Sequence, residues 1–168
     1  YGRDLLTRII VGAQTTIFSA LALVAGITII GTIVGIICGY VGGWIDSLLM
    51  RISDIFLAFP EMVFAIAIAG VLNGGIWSAA IAVGLIAWPR YARVARSQVL
   101  SMKNHQYMNA AKLTGTPWYK MIVKHIMPNI MGPIIVTAAL DIGAMIMNLA
   151  GLSYLGLGVV PPTPEWGS

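Results

Sequence analysis

Charge is scarce in this sequence. Of its 168 residues only 10% are Asp, Glu, Lys or Arg while 58% are hydrophobic, a balance far from that of a soluble globular domain, and the mean hydropathy is positive; the chain reads as a membrane protein. Acidic residues are missing altogether from Met62 to Leu140. The lone Cys38, inside an apolar run, excludes an internal disulfide and a cysteine-based metal site. There is no Gly-x-x-x-x-Gly-Lys-Ser/Thr run to wrap nucleotide phosphates, no His-Glu-x-x-His, and no nucleophile in a recognisable spacing with a His and an acid. No catalytic residue, metal ligand or cofactor is assigned, and any energy source must lie outside the chain. No signal peptide is recognisable. The chain opens at Tyr1 and stops at Ser168 in a Pro-rich stretch, and is expected to be an internal piece of a longer subunit, truncated at both ends.

What is present is a series of long apolar runs. The expected fold is all-α, a polytopic transmembrane helix bundle forming a single domain over residues 1–168. Residues 1–14, with Arg3, Asp4 and Arg8, read as an interfacial amphipathic lead-in. No charge occurs from Ile9 to Ile45, and about 20 residues cross the hydrocarbon core, which places a first span near residues 16–40. Within it Gly31, Gly35 and Gly39 fall four apart on one face, a strip that lets a second helix approach backbone to backbone. Glycine is also simply common in membrane helices. A charged connection carrying Asp46, Arg51 and Asp54 leads to a second span, residues 55–72, with Pro60 and Glu61 near its start. Asn73-Gly74-Gly75 reads as a turn, the third span covers residues 76–89 with a kink expected at Pro89, and the fourth covers residues 132–150.

Between the third and fourth spans, residues 90–128 carry Arg90, Arg93, Arg96, Lys103, Lys112, Lys120 and Lys124 and no acid. That excess marks the loop as cytoplasmic and, counting spans, puts Tyr1 and Ser168 outside. The three arginines are read as meeting anionic headgroups or acidic patches on a partner. Inside the loop, Asn104 is positioned to cap a short helix, Gly115 to close it in the left-handed conformation, Thr116 to cap the next, and Pro117 to sit in its first turn. Ala110 and Ala111 leave a small-residue face into which a partner's larger side chains can settle.

The run from Asn109-Ala110-Ala111 through Gly115 to Pro128 resembles the signature loop of permease subunits of bacterial ABC importers, in which Glu-Ala-Ala is followed at fixed spacing by Gly and then by a hydrophobic triplet ending in Pro. Asn109 replaces the family's Glu, and His125 and Met127 occupy positions that are hydrophobic there, so no contact needing that carboxylate is carried over. The tail, Ser153-Tyr-Leu-Gly-Leu-Gly158 followed by Pro161-Pro162-Thr-Pro-Glu-Trp-Gly167, and the opening Gly2-Arg-Asp-Leu-Leu-Thr-Arg8 look like the second permease of the dipeptide, oligopeptide and nickel group. The resemblance implies an inner- or plasma-membrane transport subunit that sets a coupling helix (Asn109, Ala110, Ala111, Gly115, Pro128) into a separate ATPase. Its implied partners are a second permease, two ATP-binding subunits, an extracytoplasmic substrate-binding protein and the lipid bilayer, with no nucleic acid. Leu140-Asp141-Ile142-Gly143 and Ala150-Gly151-Leu-Ser153 look more like nickel permeases than peptide permeases, so nickel or a nickel chelate is the first expectation for cargo and a dipeptide or oligopeptide the alternative.

Glu61, Asp141, Met145 and Asn148, with Met147, are candidate walls of a pathway. A carboxylate within an apolar helix is costly and faces a bundle interior, a wet cavity or a partner; for Asp141 a structural hydrogen bond or ion pair is the competing reading, and for the methionines ordinary packing. His105 and His125 are read as loop histidines with packing or hydrogen-bond roles. Two rivals come from other classes. A basic helix, Gly-containing turn and helix also describes a DNA-binding helix-turn-helix, and a channel would need no ATPase-docking loop.

Overall fold

The computed structural model describes residues 4–159 and 163–167. The described residues are helical, without a strand among them: α1 (Leu5–Val41), α2 (Gly43–Ala58), α3 (Glu61–Val71), α4 (Ile76–Lys103), α5 (Gln106–Leu113), α6 (Trp118–Met121), a π-helical segment (Ile122–Ile126) and α7 (Met127–Tyr154). Two helices, Leu5–Val41 and the continuous Trp118–Tyr154, are long and apolar enough to cross a membrane, or three if the broken pair α2 and α3 counts as one span.

Several expectations are corrected. The lead-in is no separate helix, because α1 starts at Leu5 and runs unbroken; Asp4 caps it, accepting from the Leu6 amide at 3.1 Å and the Thr7 hydroxyl at 2.6 Å, which hold its carboxyl below the usual range. Arg3 lies outside the described residues. The second span, expected over residues 55–72, is interrupted at Phe59-Pro60. Proline lacks the amide to continue α2, and its restriction of the preceding residue away from helical backbone ends that helix. Pro89 ends nothing: α4 continues through it to Lys103, so the connection expected to begin at residue 90 begins after residue 103. The apolar part of α4, residues 76–89, is about 21 Å long at 1.5 Å per residue, and the same helix carries the arginines onward.

Three helices end alike. At α3, α5 and α7 the amide of the third residue past the end reaches back to the carbonyl five positions earlier, Gly74 to Ala69, Thr116 to Ala111 and Leu157 to Leu152. Asn73, Gly115 and Gly156 supply the positive φ this cap needs.

The chain packs as two compact units, each using pieces of α1, α4 and α7. The first holds α1 up to Ile27, Leu57–Ala87, and the chain from Ala139 on. Here Leu23 and Ile27 lie over Gly84, and Gly151 leaves room for the Met62 methyl. The tail returns to α1: the Trp166 amide donates to Thr16 Oγ1 at 3.2 Å and its indole Nε1 to the Ile9 carbonyl at 3.0 Å. Pro161 and Pro162 fall outside the described residues.

The second unit holds Thr28–Phe56 and Trp88–Ala138, and its centre is the contact of α1 with α4. A Cβ on Gly31 would lie 2.6 Å from the Trp88 carbonyl oxygen, one on Gly35 2.6 Å from the Ala95 Cβ, and one on Gly39 2.7 Å from the Val99 Cβ. Backbone meets backbone along that seam, while Ile29, Ile30, Ile33 and Ile37 on the remaining faces of α1 are exposed. Small residues inward and large apolar residues outward is the arrangement of a helix whose surroundings are lipid or other apolar helices.

Candidate functional site

The second unit carries the loop. Only Asn104 and His105 separate α4 from α5, and His105, not Asn104, is the residue at the cap, without a side-chain bond to the helix. On α5 the Met108 side chain is fully buried and anchors the helix, while Asn109 and Ala110 are exposed and Ala111 half-buried. Gly115, at φ 73°, closes α5 as the spacing implies; its amide donates to Lys112 O at 3.0 Å, and the Thr114 hydroxyl donates to Ala111 O at 3.0 Å. The next helix is capped by Pro117 rather than Thr116. In the same segment the side chains of Tyr107, Leu113, Trp118 and Tyr119 are exposed, as are Lys112, Lys120 and Lys124.

Pro128 lies just past the π-helical segment. It has no amide to offer the carbonyl of Lys124, and the wider π turn accommodates that loss. The Asn129 side-chain amide donates to the His125 carbonyl at 2.7 Å. Tyr107 of α5 meets both loop histidines, stacking on His105 at 5.7 Å between ring centroids and lying 6.2 Å from His125 at a tilt. Helix α5 is thus tied by an aromatic contact to the π-helical segment that leads into α7. The helix-turn-helix alternative fails here, because α6 has four residues and runs on into α7 instead of forming a separate recognition helix.

The pathway candidates belong to the first unit. Glu61 opens α3, and Asn148 of α7 donates from Nδ2 to its Oε1 at 2.9 Å. Asp141 and Met145 precede Asn148 by seven and three residues, so all three share one helix face; Asp141 is 8% exposed and Met145 fully buried. Met147 points elsewhere and is exposed.

Three contacts of the second unit were not expected. Arg96 grips Asp46 through two hydrogen bonds, Nε to Oδ1 at 2.6 Å and Nη2 to Oδ2 at 2.7 Å, and Arg93 pairs with Asp54. Lys103 Nζ donates to the Tyr40 carbonyl at 2.9 Å, placing a cation at the C-terminal end of α1 where the helix dipole favours one. Two of the three arginines therefore serve α2 and not headgroups. The signal available was the spacing of Asp46 and Asp54, two turns apart on one side of α2.

Long apolar helices joined by an exposed basic loop are the features of a membrane-embedded helical protein. The chain belongs to the family of binding-protein-dependent transport system inner membrane components, which matches residues 31–168. It is 43% identical over 167 residues to the dipeptide transport system permease protein DppC of Alkalihalophilus pseudofirmus, covering 99% of this chain and 55% of that protein. It is 40% identical to the probable D,D-dipeptide transport system permease protein DdpC of Escherichia coli K12, covering 99% of this chain and 56% of that one. To the glutathione transport system permease protein GsiD of Escherichia coli O6 the figures are 41%, 99% and 55%. The chain spans about half the length of these relatives.

Proposed function

We propose that the chain belongs to a permease subunit of an ATP-driven peptide importer, docking on its ATPase through α5. The observation that carries the coupling role is α5 itself, an eight-residue helix held by the buried Met108 and closed at Gly115, presenting Asn109 and Ala110 outward. Closure of two ATP-binding subunits would move this loop and, with it, the helices it joins. A second permease would complete the pathway, and an extracytoplasmic binding protein would deliver the cargo. Glu61, Asp141, Met145 and Asn148 remain the residues proposed to line that pathway.

For cargo, the relatives reverse the order expected from α7. All three are named for dipeptides or glutathione and none for nickel, so a short peptide replaces nickel as the leading reading. The two α7 stretches that favoured nickel are short and mix the buried Asp141 and Leu152 with the exposed Leu140 and Gly143, so they are a poor guide to what passes.

The coupling role is tested with Gly115→Asp in the full subunit assembled with its partners: it abolishes transport-linked ATPase stimulation while membrane insertion is retained. Unchanged stimulation removes the loop from the mechanism. Uptake of a radiolabelled dipeptide, competed with unlabelled peptides or with Ni²⁺, decides cargo; competition by Ni²⁺ alone restores nickel.

A further inference from the structure

In the second unit α4 is packed from two directions by different means. Against α1 the contact is the glycine seam. Against α2 it is polar at one end and aromatic at the other: Asp46 meets Arg96, Asp54 meets Arg93, and Phe56 meets Trp88 edge-on at 6.0 Å. Following α2 forward, its partners on α4 run backward, so the helices are antiparallel neighbours from Asp46 to Phe56 of α2. At the far end of α4 two residues lead into α5, which leaves little slack between the docking helix and α4.

The two ion pairs are unequal. Arg93 and Asp54 have side chains 50% and 56% exposed, and such pairs are screened and weak. Arg96 and Asp46 are 33% and 13% exposed and joined by two parallel hydrogen bonds, the planar fork that fixes direction as well as distance. A glycine seam resists compression yet allows sliding along its length. A bidentate ion pair resists sliding.

We propose that Asp46 and Arg96 are positioning residues that lock α2 to α4, so that α2 follows the coupling loop as one lever; Asp54 and Arg93 support them. The proposal rests on the coupling role assigned to α5. Without the lock, α4 moves with the ATPase and α2 lags, and ATP is hydrolysed without transport.

The test uses the full subunit with its partner permease and ATP-binding subunits in proteoliposomes, reading ATP hydrolysed and radiolabelled dialanine taken up. Asp46→Asn and Arg96→Lys alter volume little, and assembly is scored by co-purification, so either variant that assembles serves. Each is expected to keep basal ATP hydrolysis and to lose about tenfold in uptake per ATP, the scale of a lost charge-assisted hydrogen bond. Exchanging the charges, Asp46→Arg with Arg96→Asp, recovers most of the loss, which a merely destabilised helix would not do. Arg93→Ala changes the ratio by about twofold or less, as suits an exposed pair. A wild-type ratio in an assembled Asp46→Asn or Arg96→Lys overturns the lock, as does an exchange no better than the single changes. Gly115→Asp run alongside separates the two ideas: uncoupling there with coupled Arg96→Lys removes the lever alone, and coupling in both removes the docking role with it.

Discussion

Asp141 is the residue with most at stake. Its side chain is 8% exposed on a helix whose neighbouring residues are apolar, and a carboxylate placed there costs roughly 2.5–3.5 kcal/mol on insertion scales even before its partners are counted. Packing alone would be better served by an uncharged residue. Asp141→Asn keeps the shape and removes the charge; uptake is expected to fall about tenfold or more, on the scale of a lost interaction with a charged group, at unchanged membrane abundance. Normal uptake at normal abundance would strike Asp141 from the pathway. Asn148 is a different case, since its visible task is to donate to Glu61. Asn148→Leu removes a hydrogen bond to a carboxylate, worth about 1.5–3 kcal/mol, and is expected to lower the thermal unfolding temperature of the purified subunit. Both residues could be singled out from sequence because a polar side chain in an apolar run is conspicuous. Their pairing could not, because Glu61 and Asn148 are 87 residues apart and nothing local to either names the other.

At the scale of helices the same division holds. The strip Gly31, Gly35, Gly39 and the cap at Gly115 are local patterns, a repeat of four and a left-handed turn residue, and both were legible. The break at Pro60 and the continuation of α4 through Pro89 were not, since each proline closes an apolar run and is followed directly by a charged residue, Glu61 or Arg90, and only the surrounding packing decides whether the helix resumes. The charged half of α4 falls within the expected connection because hydropathy tracks the membrane rather than the helix, although arginines recurring every three residues already suit one side of a helix leaving the membrane. Its Ala, Arg, Ser and Gln residues favour or tolerate a helix, and Arg93 and Arg96 find their acids 39 and 50 residues away. The glycine seam gives a contrast within one helix. A Cβ on Gly35 meets the Ala92 carbonyl, the Ala95 side chain and the Arg96 amide, whereas one on Gly26 meets nothing within 4 Å. Gly35→Ala should destabilise by about 1–3 kcal/mol through overpacking, while Gly26→Ala should be neutral or gain up to about 1 kcal/mol from helix propensity. Thermal unfolding in detergent compares them, and equal effects would mean that the α1–α4 contact does not limit stability.

For the molecule as a whole, the division into two units was hidden from a reading that lays spans end to end, because α1, α4 and α7 each contribute to both. What that linear reading does supply is orientation. The second unit holds all seven cations between Arg90 and Lys124 with α5 among them, and cations of that density are retained on the cytoplasmic side. The Asn73-Gly74-Gly75 turn between α3 and α4 carries no charge and should lie on the other side. Within these 168 residues the one cysteine, Cys38, is fully buried, and any cysteine elsewhere in the full subunit is replaced before labelling. In sealed cells carrying the full subunit, a membrane-impermeant maleimide should label Asn73→Cys directly, and Lys112→Cys only after permeabilisation. The converse result would put the docking helix where no cytoplasmic ATPase can reach it, and both the coupling role of α5 and the lever built on Arg96 would fall together.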